Sequence, residues 1–271
     1  MRWSDSWENI LLAIRLGIPN IYGHALYYLD EQKFRCDALS EFFTGIARHR
    51  VAHHEVINDL EMITLVRGDI HNNRMELWPS CNVDIGRKNT IKICVALVGS
   101  ARSRSWSPEK YGVVFNAILQ KNSKVEIILC GGDDAIDAAE KVEDIVGNKC
   151  INLAGKTSLK EAVAIISGCD IYLGSDTGLM HVASAFNLYV IEISASNKKS
   201  PEYWGCTPTR TGPWCEHSAV LQPSKPIDDC KYMCFKPYAH CINQVHENMV
   251  IEEVTKAINY VMEGKSGNDR V

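Results

Sequence analysis

From residue 90 onward the chain alternates between unbroken apolar runs and stretches of helical periodicity. Residues 91–98 are almost continuously apolar, as a strand covered on both faces must be. Ser107 and Pro108 supply an N-cap and a first helical residue, and Tyr111, Val114, Phe115, Ile118 and Leu119 follow at helical spacing. Residues 125–130 are the next strand, a helix over 134–146 closes at Gly147-Asn148, and 151–153 is a short strand. Ser158 and Glu161 form a capping box before a helix carrying Ala162, Val163, Ile165 and Ile166. A strand over 171–173, a helix over 177–186 and a strand over 188–193 complete the series. Five strands joined by four crossover helices predict an α/β fold with a parallel, Rossmann-like sheet. The loops 99–106, 131–134, 154–157, 174–181 and 194–199 then emerge at one edge of it.

The flanking regions read differently. Residues 195–248 are irregular and rich in proline, and a last amphipathic helix covers about 252–262. In the first 88 residues the spacing predicts helices over 7–16, 37–48 and 53–66, with a single strand over 18–22. That is too little sheet for an independent Rossmann domain. The expected organisation is a partial N-terminal α/β domain over 1–89 and a complete domain over 90–271.

Bulk properties narrow the function. A formal net charge of -4 and a pI near 6.1 argue against a general nucleic-acid binder. No apolar stretch approaches the roughly 18 residues of a membrane span, and the start lacks a signal-peptide pattern. The expected location is cytoplasmic, with peripheral membrane contact left open. The eleven cysteines are odd in number, and Cys94 and Cys130 lie in apolar strands. This suits buried thiols in a reducing compartment better than a disulfide framework.

The most informative segment is Ile171 to Ala185. A buried strand gives way through Gly174-Ser175 to a helix whose first turn carries Asp176, Thr177 and His181. Polar groups at a strand's carboxyl end and at the positive end of a helix dipole bind phosphorylated ligands in open α/β sheets. Asp176 reads as an N-cap or as an acceptor for a sugar hydroxyl. Thr177 and the amides of Gly178 and Leu179 read as phosphate ligands. His181, four residues on, shares the helix face of Thr177. Arg104 is the best candidate for a phosphate cation, and Lys156 is a weaker second.

These residues carry a resemblance. The run Gly174-Ser175-Asp176-Thr177-Gly178-Leu179-Met180-His181-Val182-Ala183-Ser184-Ala185 resembles the donor-site signature of glycosyltransferase family 9, the ADP-heptose:lipopolysaccharide heptosyltransferases. Gly99 to Glu109 is similar to a second family element, with Arg104 in the basic place and Ser107 between Trp106 and Pro108. Gly131-Gly132-Asp133-Asp134 is similar to a third, where Asp134 stands for the glutamate that meets the nucleotide ribose. The resemblance covers about residues 90–262. It implies a GT-B-like architecture, an ADP-heptose or related nucleotide-sugar donor, a saccharide or lipid-linked saccharide acceptor of the lipopolysaccharide type, and no cofactor. It also implies a carboxylate base in the N-terminal domain. Residues 1–88 match only the later part of such a domain, and the base is assigned to no residue. The alternative is a catalytically incomplete remnant that binds nucleotide sugar. Another GT-B enzyme, such as a sugar-nucleotide epimerase, is a third reading.

Other constellations are weaker. Asp176-Thr177-Gly178 also occurs in aspartic proteases, but those need a β context. Cys230, Cys234 and Cys241, with Cys215, His240 and His246 nearby, invite a zinc reading. The third cysteine lacks a close partner in the sequence, so no metal is assigned. His49 and His53 share one face of an expected helix with no third ligand, which describes a solvated surface.

Overall fold

The computed structural model describes residues 7–27, 42–50, 52–202, 206–227, 230, 231, 234 and 236–268. It divides into two units: residues 1–73 with 201–211, and residues 74–200 with 212–271.

The first unit contains α1 (Trp7–Arg15), β1 (Tyr22–Tyr27), β2 (Gly45–Arg50) and α2 (Glu55–Leu65). Gly17, with φ of +66°, ends the α1 segment, so the strand expected over 18–22 begins only at Tyr22. The helix expected over 37–48 is corrected where it can be seen. Residues 37–41 lie outside the described residues, and residues 45–50 form β2, parallel to β1 with Tyr22 opposite Gly45 and Tyr27 opposite Arg50. A parallel partner distant in sequence overrides local propensity here. α2 starts at Glu55, with His54 at its N-cap accepting from the Val56 amide through Nδ1 at 3.2 Å. His49 therefore lies on a strand and His53 before a helix, so the shared face does not exist. The short helical turn Pro208–Thr211 joins this unit through Arg210, whose Nε and Nη2 both reach Oε1 of Glu55.

The second unit holds a six-stranded, all-parallel sheet: β3 (Ile91–Ala96), β4 (Val125–Cys130), β5 (Cys150–Asn152), β6 (Ile171–Gly174), β7 (Tyr189–Ile193) and β8 (Ser218–Leu221). The spatial order is β5-β4-β3-β6-β7-β8. Counted within the sheet this is 3-2-1-4-5-6, the doubly wound arrangement. The sixth strand, β8, was not expected. Its four residues are exposed or half-buried at an edge, too short and too weakly apolar to announce themselves. Four helices cross over between the strands: α3 (Pro108–Lys121), α4 (Ile136–Val146), α5 (Leu159–Ser167) and α6 (Gly178–Ala185). The Ser107 cap and the Ser158–Glu161 capping box form as the sequence predicts. The C-terminal helix, Glu247–Asn268, runs longer at both ends than its periodicity suggested.

Alternate residues of the strands feed opposite faces. Ile93, Val95 and Leu97 pack with Trp106, Phe115, Val142 and Ile258 under α3, α4 and the C-terminal helix. Cys94, Ala96 and Tyr172 pack with Ile166 and Met180 under α5 and α6. Burial on both faces explains why these strands read as unbroken apolar runs. All ten described cysteines are free thiols, Cys94 and Cys130 among the buried ones. No helix among the described residues is long and apolar enough to cross a membrane.

Candidate functional site

The strand order reverses between β3 and β6, and the loops leaving their carboxyl ends face each other there. Open parallel sheets bind ligands at this switch point. The two strands approach so closely that a Cβ on Gly174 would lie 2.5 Å from the carbonyl oxygen of Ala96, which explains the glycine. Just beyond, buried Ser175 donates from Oγ to the carbonyl of Arg104 at 2.8 Å, latching one loop to the other.

The loop after β3 is held from below. Its single 3-10 turn, Arg102–Arg104, is followed by Trp106, which is buried. Trp106 Nε1 donates to the carbonyl of Val245 at 3.0 Å, and its ring meets Tyr111 edge-on at 4.8 Å. Lys110 Nζ donates to the carbonyls of Asn243 and Val245. Within the loop Ser105 Oγ accepts from the Gly99 amide at 3.1 Å, and Arg104 Nη1 donates to Ser100 Oγ at 3.2 Å. These bonds anchor the backbone of the loop that carries Arg104, itself half-buried.

The start of α6 corrects one expectation. Thr177, not Asp176, holds the N-cap position, and it makes no side-chain cap bond. Thr177 Oγ instead lies 3.2 Å from the Tyr172 hydroxyl, which donates to the Ser175 carbonyl at 3.0 Å. No side-chain cap bond from Thr177 reaches the start of α6, and among the described residues the missing side chain of Gly178 leaves open space. An uncapped helix start with room above it favours an anion.

Asp176 turns toward His181, with Oδ1 3.7 Å from Nε2, beyond hydrogen-bond range. Burial lowers the His181 pKa below 6.5, against the upward pull of Asp176. The imidazole is therefore neutral at pH 7, a hydrogen-bonding group rather than a cation.

Sequence reasoning missed Glu192. It lies on β7 opposite Gly174 and is only 1% exposed, and its Oε2 has no hydrogen-bond partner among the described residues. Burial first, and the Asp176 charge second, raise its pKa from 4.5 to about 8, while Ser194 and Arg104 pull the other way. Glu192 is thus a neutral acid at pH 7. The available signal was a carboxylate inside Val190-Ile191-Glu192-Ile193, an apolar run in which a charge has no place.

Arg104, Asp176, Thr177, Gly178, Leu179 and His181 are all carried by the two facing loops and α6. Asp134 lies in the 3-10 turn Asp133–Ala135 after β4, exposed at the same edge but on the far side of β3. Lys156 lies further out, past the edge strand β5, with Nζ donating to the Asn152 carbonyl. A separate cavity of about 350 Å³, lined by Arg87, Glu126 and Cys150 among others, opens at the amino-terminal edge of the sheet, away from these loops. Glu126 there is already satisfied by Arg87 and Thr90.

The late cysteines, whose spacing gave no metal assignment, are drawn together by the fold. Cys230, Cys234, His240 and Cys241 bring their ligand atoms within 4.8 Å of one another, and Cys215 and His246 stay outside the group.

Residues 74–229 match the family model of glycosyltransferase family 9 (heptosyltransferase). The chain is 29% identical over 134 residues to the lipopolysaccharide core heptosyltransferase OpsX of Haemophilus influenzae, covering 49% of this chain and 35% of that protein. It is 27% identical over 141 residues to lipopolysaccharide heptosyltransferase 2 of Salmonella typhimurium, covering 47% and 40%. The match therefore spans well under half the length of these relatives. Among solved structures, the E. coli ADP-heptose lipopolysaccharide heptosyltransferase II superposes with a TM-score of 0.67 at 16% identity, over 95% of this chain and 75% of that one. An E. coli heptosyltransferase solved with ADP superposes with a TM-score of 0.55 at 15% identity, over 86% and 65%. These likenesses show an α/β fold of the GT-B-like kind.

Proposed function

Because the chain belongs to glycosyltransferase family 9, we propose that it transfers a heptose or related sugar from a nucleotide-sugar donor to a lipopolysaccharide-type saccharide acceptor, with ADP-heptose as the donor. The observation that supports this reading is the Ser175–Arg104 latch across the switch point, which ties the backbone of the loop carrying Arg104 to the turn that leads into α6. In transfer, an acceptor oxygen attacks the anomeric carbon, the bond from that carbon to the β-phosphate oxygen breaks, and the nucleoside diphosphate leaves with added negative charge. The Gly178 and Leu179 amides, the α6 dipole and Arg104 stabilise that charge. The α6 dipole contributes about 0.3–1 kcal/mol when exposed and up to about 2 when partly buried. Asp176 accepts a hydrogen bond from the sugar, neutral His181 bonds a sugar or phosphate oxygen, and Asp134 meets the ribose.

Residues 90–271 carry the donor in this reading and residues 1–89 the acceptor side. The acceptor proton passes to a base outside the donor set. The protein acts in the cytoplasm against the inner face of a membrane that bears the acceptor. The names of the relatives and the ADP-bound neighbour support this choice of donor and acceptor.

Calorimetry with ADP, UDP and GDP, followed by a transfer assay with ADP-heptose and a lipid-linked acceptor, tests the proposal. ADP binding with sugar transfer is expected. Failure of all three nucleotides to bind removes the donor site. Binding without transfer keeps the site and makes the chain a nucleotide-sugar-binding remnant.

A further inference from the structure

We propose that Cys230, Cys234, Cys241 and His240 bind one tetrahedral transition-metal ion of the zinc class, and that this ion fixes the segment on which Trp106 rests. The spacing of the four ligand atoms carries the inference. Cys230 and Cys234 place their sulfurs 3.8 Å apart, and His240 Nδ1 lies 3.6, 3.6 and 3.5 Å from the sulfurs of Cys230, Cys234 and Cys241. A regular tetrahedron with metal–sulfur bonds of about 2.3 Å and a metal–nitrogen bond of about 2.05 Å has edges of about 3.8 Å between sulfurs and about 3.6 Å from sulfur to nitrogen. Those four separations match the edges of such a tetrahedron, and the Cys241 sulfur lies within 4.8 Å of the other two sulfurs. Two thiols joined as a disulfide would instead stand about 2.05 Å apart.

The chemistry agrees with the geometry. Three thiolates and one imidazole are the Cys3His donor set of closed structural sites, which suits Zn2+, or Fe2+ in the same place. The three cysteines are buried, and among the described residues they form a small apolar cluster of their own with Ile227, apart from the two sheet faces. The surrounding stretch has little regular structure to hold it: residues 222–240 contain no described helix or strand. A metal supplies what a short irregular segment cannot obtain from a core of its own.

The position gives the ion a consequence. His240 and Cys241 open the 3-10 turn Cys241–Gln244, which leads into Val245. The carbonyl of Val245 receives the Trp106 indole, and those of Asn243 and Val245 receive Lys110. The metal would therefore set the floor beneath the loop carrying Arg104.

The test is metal analysis of the full chain by plasma mass spectrometry, with zinc and iron read separately. About one equivalent of either metal is expected in the wild type and in Cys215→Ser, whose cysteine lies outside the cluster. Near-total loss is expected in Cys234→Ser and in Cys241→Ser. Should those variants fail to fold, replacing the native metal of the wild type with Co2+ gives a second reading. Thiolate-to-cobalt charge-transfer bands together with intense tetrahedral ligand-field bands are expected. A wild type that holds neither metal, variants that retain it, or a cobalt form without those bands would each overturn the proposal. None of these readouts depends on nucleotide binding or sugar transfer.

Discussion

Glu192→Gln tests the electrostatics of the switch point most directly. The wild-type side chain is 1% exposed, its Oε2 has no partner among the described residues, and burial pushes its pKa up from 4.5 to about 8. Between these values the folded protein holds a proton that the unfolded chain has released, so stability must fall as pH rises. The contribution is fully present below pH 4.5, declines by about 1.4 kcal/mol per pH unit, and is lost above about pH 8. Across that window the shift amounts to about 5 kcal/mol, a large fraction of a typical domain's stability. Glutamine has the shape of the protonated acid and cannot ionise, so the variant should lack this slope. Urea unfolding at pH 5, 6, 7, 8 and 9, followed by circular dichroism, measures both proteins. The variant should lose its disadvantage, or gain an advantage, steadily from pH 5 to 8 and no further beyond. Two curves that stay parallel to within about 0.5 kcal/mol over that range would mean Glu192 finds compensation elsewhere, and the reasoning would fail.

Three further outcomes follow from the same geometry. Arg104→Ala should weaken ADP binding by about 1–3 kcal/mol, the scale of a charge-assisted hydrogen bond, read by calorimetry; unchanged affinity would remove Arg104 from the site. Asp176→Asn should reduce discrimination between ADP-heptose and other ADP-sugars more than it reduces affinity for ADP, and the opposite order would leave Asp176 no role toward the sugar. Glu55→Ala removes the acceptor of the Arg210 fork, whose side chains are only 13% and 14% exposed. It should cost about 2–4 kcal/mol of stability in thermal unfolding, since a largely buried ion pair is broken; a loss near zero would place that pair in effective contact with water.

What the sequence settled by itself was local. Apolar runs marked β3, β4, β6 and β7. Ser107-Pro108 and Ser158–Glu161 marked helix starts, because caps are written within four residues of the groups they satisfy. The 171–185 segment could be read as a strand, turn and helix because each element there agrees with its own periodicity. What pairs across distance was not written in any window. β2 was read as helix because its strand character comes from β1, more than twenty residues away. β8 is an edge strand too short to carry a pattern. The strand order that turns the Arg104 and Thr177 loops toward each other and the backbone contact that requires Gly174 depend on where parallel strands pair, and the meeting of His240 with three cysteines depends on how an irregular segment folds. Glu192 shows the same limit from the other side: its residue type was visible, but its unusual pKa belongs to burial and to Asp176, and both come from chain segments that only folding brings together.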